Sequence, residues 1–235
     1  MLPIFSYSQG FLDIESGVIF IGYNDVRIPG NSGTLFSLKK DLLIKPAPYI
    51  RINMGYQIKE RHYVGLLYAP LTIKATGRLD NELRFSNILV PPNTLINASY
   101  TFNSYRLTYR YNLIHKRHLK IGLGFSAKIR DAEIAVSANS EDVSTGGLGF
   151  VPLINFKAFW TPHTKYGLLL WGDGFAAAQG RALDMQLAGT FNINKSFSMR
   201  LGYRLLEGGS DGSSAYNFIL LHYASFGLSY HLNNK

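Results

Sequence analysis

Several features are missing from this chain of 235 residues, and each absence removes a class of protein. Cysteine is absent, which excludes disulfide bonds and thiol chemistry. No apolar run reaches about eighteen residues, the length that a membrane-spanning helix needs. Acidic residues number 15 against 24 Lys and Arg. This basic excess is spread singly along the chain, whereas a nucleic-acid binder clusters it on one face, so we expect no nucleic-acid partner.

The last stretch, 216–232, shows the pattern that organises the rest. Alternate residues are apolar on one side and largely polar on the other, with a period of two, which predicts a strand with one apolar face. The first face comprises Ala224, Phe226, Leu228, Tyr230 and Leu232, and the second Tyr223, Ser225, Gly227, Ser229 and His231.

Nine further segments alternate in the same way, which predicts ten strands in total. In the clearest one, 96–114, Leu107 and Tyr109 face away from Arg106 and Arg110. Within 119–136 the alternation slips at Asp131-Ala132, which predicts a β-bulge near a rim. The ten predicted strands are 14–23, 48–58, 62–77, 96–114, 119–136, 150–161, 166–175, 181–193, 197–206 and 216–232.

The connections between these segments alternate between short turns and longer polar stretches. The long stretches 24–47 and 78–94 are of undetermined role. Within the first, Phe36–Ile44 predicts a short helix or an extra hairpin arm. Within the second, the residues around Pro91-Pro92 predict a hairpin that stands beyond the sheet. Polar loops are also expected at 137–149 and 207–214.

The aromatic-rich closing strand, the even strand count and the short–long rhythm resemble bacterial outer-membrane β-barrels. The resemblance implies an all-β, closed, antiparallel up-and-down transmembrane barrel of about ten strands, a single domain over 9–235. It further implies a monomer in a Gram-negative outer membrane, in contact with lipid and lipopolysaccharide, whose C-terminal strand engages the barrel-assembly machinery. Residues 1–8 end in a small-x-small pattern, Ser6-Tyr7-Ser8, which predicts a signal-peptide remnant.

In such a barrel the apolar face meets lipid and the polar face lines the lumen. The lumen then leans positive, and it holds either a paired polar plug or a water path that favours anions. A tyrosine girdle at the inner interface is expected from Tyr56, Tyr63, Tyr111, Tyr166 and Tyr230. The predicted lumen-lining polar residues are Arg51, Arg106, Arg110, Lys128, Arg130, Lys157, Asp173, Asp184, Arg200 and Arg204.

Candidate chemistry is sparse, and we predict no catalytic residue, no metal site and no cofactor. His222 is the one mid-strand histidine, and Ser225, three residues on, points to the opposite face. Omptin-type barrel proteases use Asp and His at the outer rim, where this chain has the acids Asp131, Glu133, Glu207 and Asp211 without a histidine.

The sequence therefore favours a non-enzymatic, structural or small porin-like barrel. Two alternatives stay open: an outer-membrane barrel enzyme acting on lipid A or peptides, and a soluble lipocalin-type barrel with its apolar face inside around a hydrophobic ligand.

Overall fold

The computed structural model describes residues 9–45 and 47–232, so the predicted signal-peptide remnant lies outside the described residues. Within these ranges, no helix is long and apolar enough to cross a membrane. The strands are β1 Gln9–Arg27, β2 Phe36–Ser37, β3 Leu43–Ile44, β4 Ile50–Ile58, β5 His62–Ala69, β6 Thr72–Arg78, β7 Leu83–Phe85, β8 Ile88–Val90, β9 Leu95–Lys116, β10 Leu119–Ala138, β11 Glu141–Trp160, β12 Tyr166–Ala177, β13 Gly180–Asn192, β14 Phe197–Asp211 and β15 Tyr216–Leu232.

The strands close into an antiparallel barrel of ten strand positions. β9 through β15 follow one another around the wall, and β15 pairs with β1 from Leu232 opposite Gly10 to Tyr216 opposite Arg27. β4 then joins β1 to β5, while β5 and β6 occupy one position because both pair with β9. This closure confirms the predicted fold class. In the described residues each of the ten strand positions thus has a paired neighbour on both sides, which is how a barrel avoids an end strand.

The ten predicted strands are all present, but several are longer than expected. The predicted polar loop 137–149 is wrong, because β10 and β11 continue as a hairpin and meet at a two-residue turn, Asn139-Ser140, with both residues at positive φ. Likewise β14 runs to Asp211, so the loop expected at 207–214 shrinks to 212–215. The polar composition misled the prediction, since these strand ends lie beyond the apolar part of the barrel.

The slip at Asp131-Ala132 is not a bulge. β10 stays in continuous register with β11 there, with Asp131 opposite Leu148 and Ala132 opposite Gly147. What changes is the polarity of the two faces: Lys128 points inward below this level, whereas Ile134 and Val136 are buried inside above it and Glu133 is outside. The backbone of β10 therefore stays regular where its outer face passes from lipid to water. Below that level the apolar side chains point outward, and above it they point inward.

Around the wall below this level the outward side chains form an apolar belt. They are exposed although large and hydrophobic, which excludes the soluble alternative with this face inside. The belt includes Leu12, Ile14, Met54, Leu66, Leu107, Leu113, Leu123, Phe125, Ile154, Leu168, Leu187, Leu201, Phe226 and Leu228. Tyr56, Tyr166 and Tyr230 lie on the exposed face as the girdle requires, but Tyr63 does not: it is 3% exposed inside the barrel, stacked on Phe11.

The end of the barrel that carries segments 28–45, 47–49 and 79–94, here called the outer end, contains a separate hydrophobic core. Phe36–Ile44 forms neither a helix nor a hairpin of its own: β2 pairs with β1 and β3 pairs with β6, so the segment completes the wall between them. The hairpin predicted around Pro91-Pro92 is wrong in position: the chain turns at Ser86-Asn87, between β7 and β8, and this hairpin does not stand beyond the sheet. Its Leu83 and Phe85 are fully buried against Val26, Ile73 and Ile96 among others.

Candidate functional site in the barrel interior

Inward-facing positions of strands that are distant in sequence bring charged side chains together in the middle of the barrel. Asp184 on β13 accepts hydrogen bonds from Arg51 on β4 at 2.8 Å and from Arg204 on β14 at 2.6 Å. Arg106 on β9 lies 2.7 Å from the same carboxylate. Three guanidinium groups from three walls thus converge on one acid.

Glu15 on β1 is the second centre of this arrangement. It is 1% exposed and accepts from Arg204 at 2.8 Å and from Arg200 at 2.7 Å. Gln186 donates to Glu15 at 2.9 Å and accepts from Arg204 at 3.1 Å. Arg200 also reaches Asp13, with its Nη2 2.8 Å from Oδ1.

Asp173 on β12 extends the arrangement to the far wall. It accepts from Arg106 at 2.8 Å, from Ser126 at 2.6 Å and from Asn155 at 2.9 Å. Asn155 in turn accepts from Arg110 at 3.0 Å.

Together these groups form what we call the ion-pair layer: Asp13, Glu15, Arg51, Arg106, Asp173, Asp184, Arg200 and Arg204. Each of its members is at most 6% exposed. Buried charges are tolerated only when they are paired and hydrogen-bonded, and here every carboxylate faces at least one guanidinium. The layer reaches from β4 and β9 across the interior to β12, β13, β14 and β1.

A cavity lies on each side of the ion-pair layer. The outer cavity has a volume of about 290 Å³ and is bordered by Phe102, Lys128, Arg130, Phe150 and Phe175 among others. The inner cavity has a volume of about 190 Å³. Its lining includes Tyr63, Arg110, Lys157, Trp171 and His231.

The ten residues singled out in the sequence fall into two groups in the structure. Six of them belong to the ion-pair layer: Arg51, Arg106, Asp173, Asp184, Arg200 and Arg204. The other four lie next to the cavities: Lys128 and Arg130 at the outer one, Arg110 and Lys157 at the inner one. Within the described residues, no salt bridge joins any of these four cations to a carboxylate. Lys128 lies 4.7 Å from the ring of Phe102, Lys157 5.8 Å from that of Phe159, and the Arg110 guanidinium 4.2 Å from that of Tyr63.

Sequence reasoning missed several members of the interior. Asp13 lies just before the predicted start of the first strand, and Gln186 lies within the predicted strand 181–193 but is not among the predicted lumen-lining residues. The signal was present, because Asp13 and Glu15 continue the alternation that defines β1. Which partners such residues meet depends on closure of the sheet and cannot be derived from any single strand.

Over the described ranges 9–45 and 47–232, no hydrogen bond or ion pair joins a histidine to the outer-rim acids Asp131, Glu133, Glu207 and Asp211. His222 faces outward and lies 2.5 Å from the hydroxyl of Tyr203. Ser225 is fully buried inside, where it donates to the backbone oxygen of Gly202. In the described part of the chain, no group of three or more His, Cys, Asp or Glu is arranged to hold a metal ion.

Comparison with known proteins identifies the architecture. No protein-family model and no curated protein sequence matches the chain. Among solved structures, the outer membrane protease OmpT from Escherichia coli aligns with a TM-score of 0.58 and 10% identity, covering 99% of each chain. This chain has the fold of a bacterial outer-membrane β-barrel. At this identity the likeness concerns the fold alone. The apolar belt and the barrel fold together place the protein in the bacterial outer membrane.

Two other similar structures have different roles. Ail, the attachment invasion locus protein of Yersinia pestis, aligns with a TM-score of 0.44 and 11% identity, covering 95% of this chain and 99% of its own. The translocator domain of the autotransporter NalP from Neisseria meningitidis aligns with a TM-score of 0.46 and 10% identity, covering 95% of this chain and 88% of its own.

Proposed function

We propose that the protein is a non-enzymatic, monomeric outer-membrane barrel with a polar, Arg/Lys-rich lumen that is closed at rest. The observation that carries this proposal is the ion-pair layer, which crosses the interior between the two cavities. In this proposal the role is structural, and the ten polar residues identified from the sequence line and block the lumen. A ten-stranded barrel is close in size to the eight-stranded kind that side chains fill.

Closure by paired charges has a specific consequence for permeation. A guanidinium group that is paired with two carboxylates obstructs the lumen. Its charge is also neutralised, so it does not attract a passing ion. The cavities beyond the layer carry surplus cations, Lys128 and Arg130 on one side and Arg110 and Lys157 on the other. Any path opened through the layer would therefore favour anions.

Planar-bilayer recording tests the closed lumen. The native protein should give no stable conductance steps under conditions in which a general porin does. The paired variant Arg51→Ser/Asp184→Ser removes one cation and one anion from opposite walls, and it should produce steps with anion selectivity. Stable steps from the native protein would overturn the proposal.

The remaining parts of the proposal concern the surroundings of the barrel. The apolar belt encircles the wall, which supports a single barrel in contact with lipid and lipopolysaccharide. The outward residues of β15, including Phe226 and Leu228, support recognition of the C-terminal strand by the assembly machinery. Sedimentation in detergent matched for density should give the mass of one chain, and a stable dimer would contradict the monomer.

A further inference from the structure

The barrel wall has a gap on the side of β11 and β12. Their pairing begins at Ile154 opposite Gly174 and runs only toward the inner end. Above that level β11 continues to Glu141 and pairs with β10 alone in the described structure, whereas β12 ends at Ala177. Between β1 and β6 the corresponding gap is covered in part by β2, which pairs with β1, and by β3, which pairs with β6. The 149–153 part of β11 therefore presents a free edge.

This edge lies at the depth of the lipid. Phe150 is 69% exposed and stands below Leu148, which pairs with Asp131 at the level where the outer face turns polar. An unpaired strand edge at membrane depth is tolerated only where it borders protein or a cavity. Pro152 suits such an edge because it has no N–H to pair. The outer cavity lies directly behind, since 149–153 and Phe175 are part of its lining.

The cavity combines apolar walls and two cations outside any described ion pair with one side formed by the ion-pair layer, from which Arg106, Asp173 and Asp184 border it. Phe102, Leu153, Phe175 and Leu206 line it. Lys128 is 5% exposed there, with the ring of Phe102 as its recorded contact and no ion pair among the described residues. The Nε atom of Arg130 is buried without a hydrogen-bond partner. Leaving a buried ammonium group without an anion is costly, which favours an anion in the part of the cavity that Lys128 and Arg130 border.

We propose that the outer cavity binds a single-chain amphiphile with one anionic head group, of the fatty-acid class, taken from the outer leaflet through the gap between β11 and β12. The head group lies against Lys128 and Arg130, and the acyl chain lies along Phe102, Phe175 and the free edge of β11. A volume of about 290 Å³ accommodates one chain, not the several chains of a larger lipid. The proposal does not depend on whether the lumen is closed.

Photo-crosslinking tests the proposal directly. The purified barrel in detergent is labelled with dodecanoic acid bearing a terminal diazirine, and the modified peptides are identified by mass spectrometry. Labelling should concentrate on 149–153 and 173–177. The matching diazirine dodecanol should label these segments about tenfold less, because it lacks the charged acceptor for the two cations. Untagged dodecanoic acid should compete with the probe, whereas sodium phosphate should not.

Variants separate the site from simple partitioning into the barrel or the micelle. Lys128→Gln and Arg130→Gln should each reduce labelling of these segments severalfold, and Gly149→Phe, whose side chain projects toward Arg130, should block it. Lys157→Gln is the matched control, since that cation borders the inner cavity. Heat-modifiable gel mobility establishes that each variant is folded.

Three results would overturn the proposal. Equal labelling by acid and alcohol would remove the role of the anionic head. Labelling spread evenly over the apolar belt would show partitioning without a site. Competition by phosphate alone would mean a small-anion site that no acyl chain enters. None of these results bears on conductance. The fatty-acid site and the closed lumen can therefore be refuted separately.

Discussion

At the scale of single residues, Arg204 connects the two central carboxylates of the ion-pair layer. It is 2% exposed and contacts Glu15, Asp184 and Gln186, which lie on β1 and β13. Arg204→Gln should lower the free energy of unfolding by about 3–5 kcal/mol, because it leaves two buried carboxylates short of their partner. Urea titration of the protein folded in phospholipid vesicles, followed by gel mobility, measures the change.

Arg181→Gln is the matched control for that substitution. Arg181 also pairs with a carboxylate, Glu207, but the Arg181 side chain is 54% exposed. Its replacement should leave the urea midpoint unchanged, because water screens an exposed pair. Equal effects at the two positions would mean that burial of the ion-pair layer does not matter for stability.

At position 17, in the β1–β15 seam, the backbone conformation and the close approach of β15 require a glycine. Its φ is 151°, and a Cβ there would lie 2.1 Å from the carbonyl oxygen of Ala224. Gly17→Ala should destabilise the barrel by about 1–3 kcal/mol. Gly189→Ala serves as the control, since its Cβ would come no nearer than 3.9 Å to a neighbour. The same urea titration compares them, and an unchanged midpoint for Gly17→Ala would show that the seam relaxes around a methyl group.

At the scale of elements, sequence patterning located every wall strand but not every strand end. The alternation of Leu107 and Arg106 is local and follows from the pleat, so it can be derived from one strand. The upper parts of β10 and β11 could not be predicted as strands. Their outer face meets water, and a strand with a polar outer face has the same polar composition as a loop. The exchange of faces at Asp131 was visible, but a bulge explains the same pattern equally well in one strand.

The β7–β8 hairpin is a lid element whose apolar side closes the outer core. Phe85 is fully buried there, while Leu89 in the same hairpin is 60% exposed. Phe85→Ala should release the hairpin, since truncating a buried phenylalanine costs about 3–5 kcal/mol. Trypsin cleavage after Arg84 should accelerate more than tenfold, whereas the heat-modifiable mobility of the barrel should persist.

Leu89→Ala should leave the rate of that cleavage unchanged. If Phe85→Ala left the cleavage rate unchanged as well, the hairpin would be held by its backbone rather than by the core.

For the whole molecule, the level of the membrane can be read from the faces of β10. Phe125 is 73% exposed within the apolar belt, and Glu133 lies on the same face above the exchange of polarity. Phe125→Arg should cost about 2–4 kcal/mol for folding into vesicles, whereas Glu133→Arg should cost less than about 1 kcal/mol. Unfolding titrations in vesicles compare the two, and similar costs would place the membrane boundary elsewhere.

The overall architecture followed from the sequence because strand count, alternation and connection lengths are properties of the chain taken in order. The candidate site could be predicted from the sequence only in part. The inward positions of Arg51 and Arg204 are set by local alternation, but their meeting at Asp184 depends on which strands face each other across a closed cylinder. The gap beside β11 was not predictable either, because it arises where neighbouring strands end at different heights.

The ion-pair layer also constrains the order in which the barrel is completed. Asp13 and Glu15 near the beginning of the chain bind Arg200 and Arg204 near its end, across the β1–β15 seam. Until that seam shuts, Arg200 lacks both of its carboxylates and Arg204 keeps only Asp184 on the neighbouring β13, so moving these arginines from water to hydrocarbon carries a large penalty. We therefore expect a half-assembled sheet to stay at the aqueous surface and to enter the bilayer only as the two ends of the chain join.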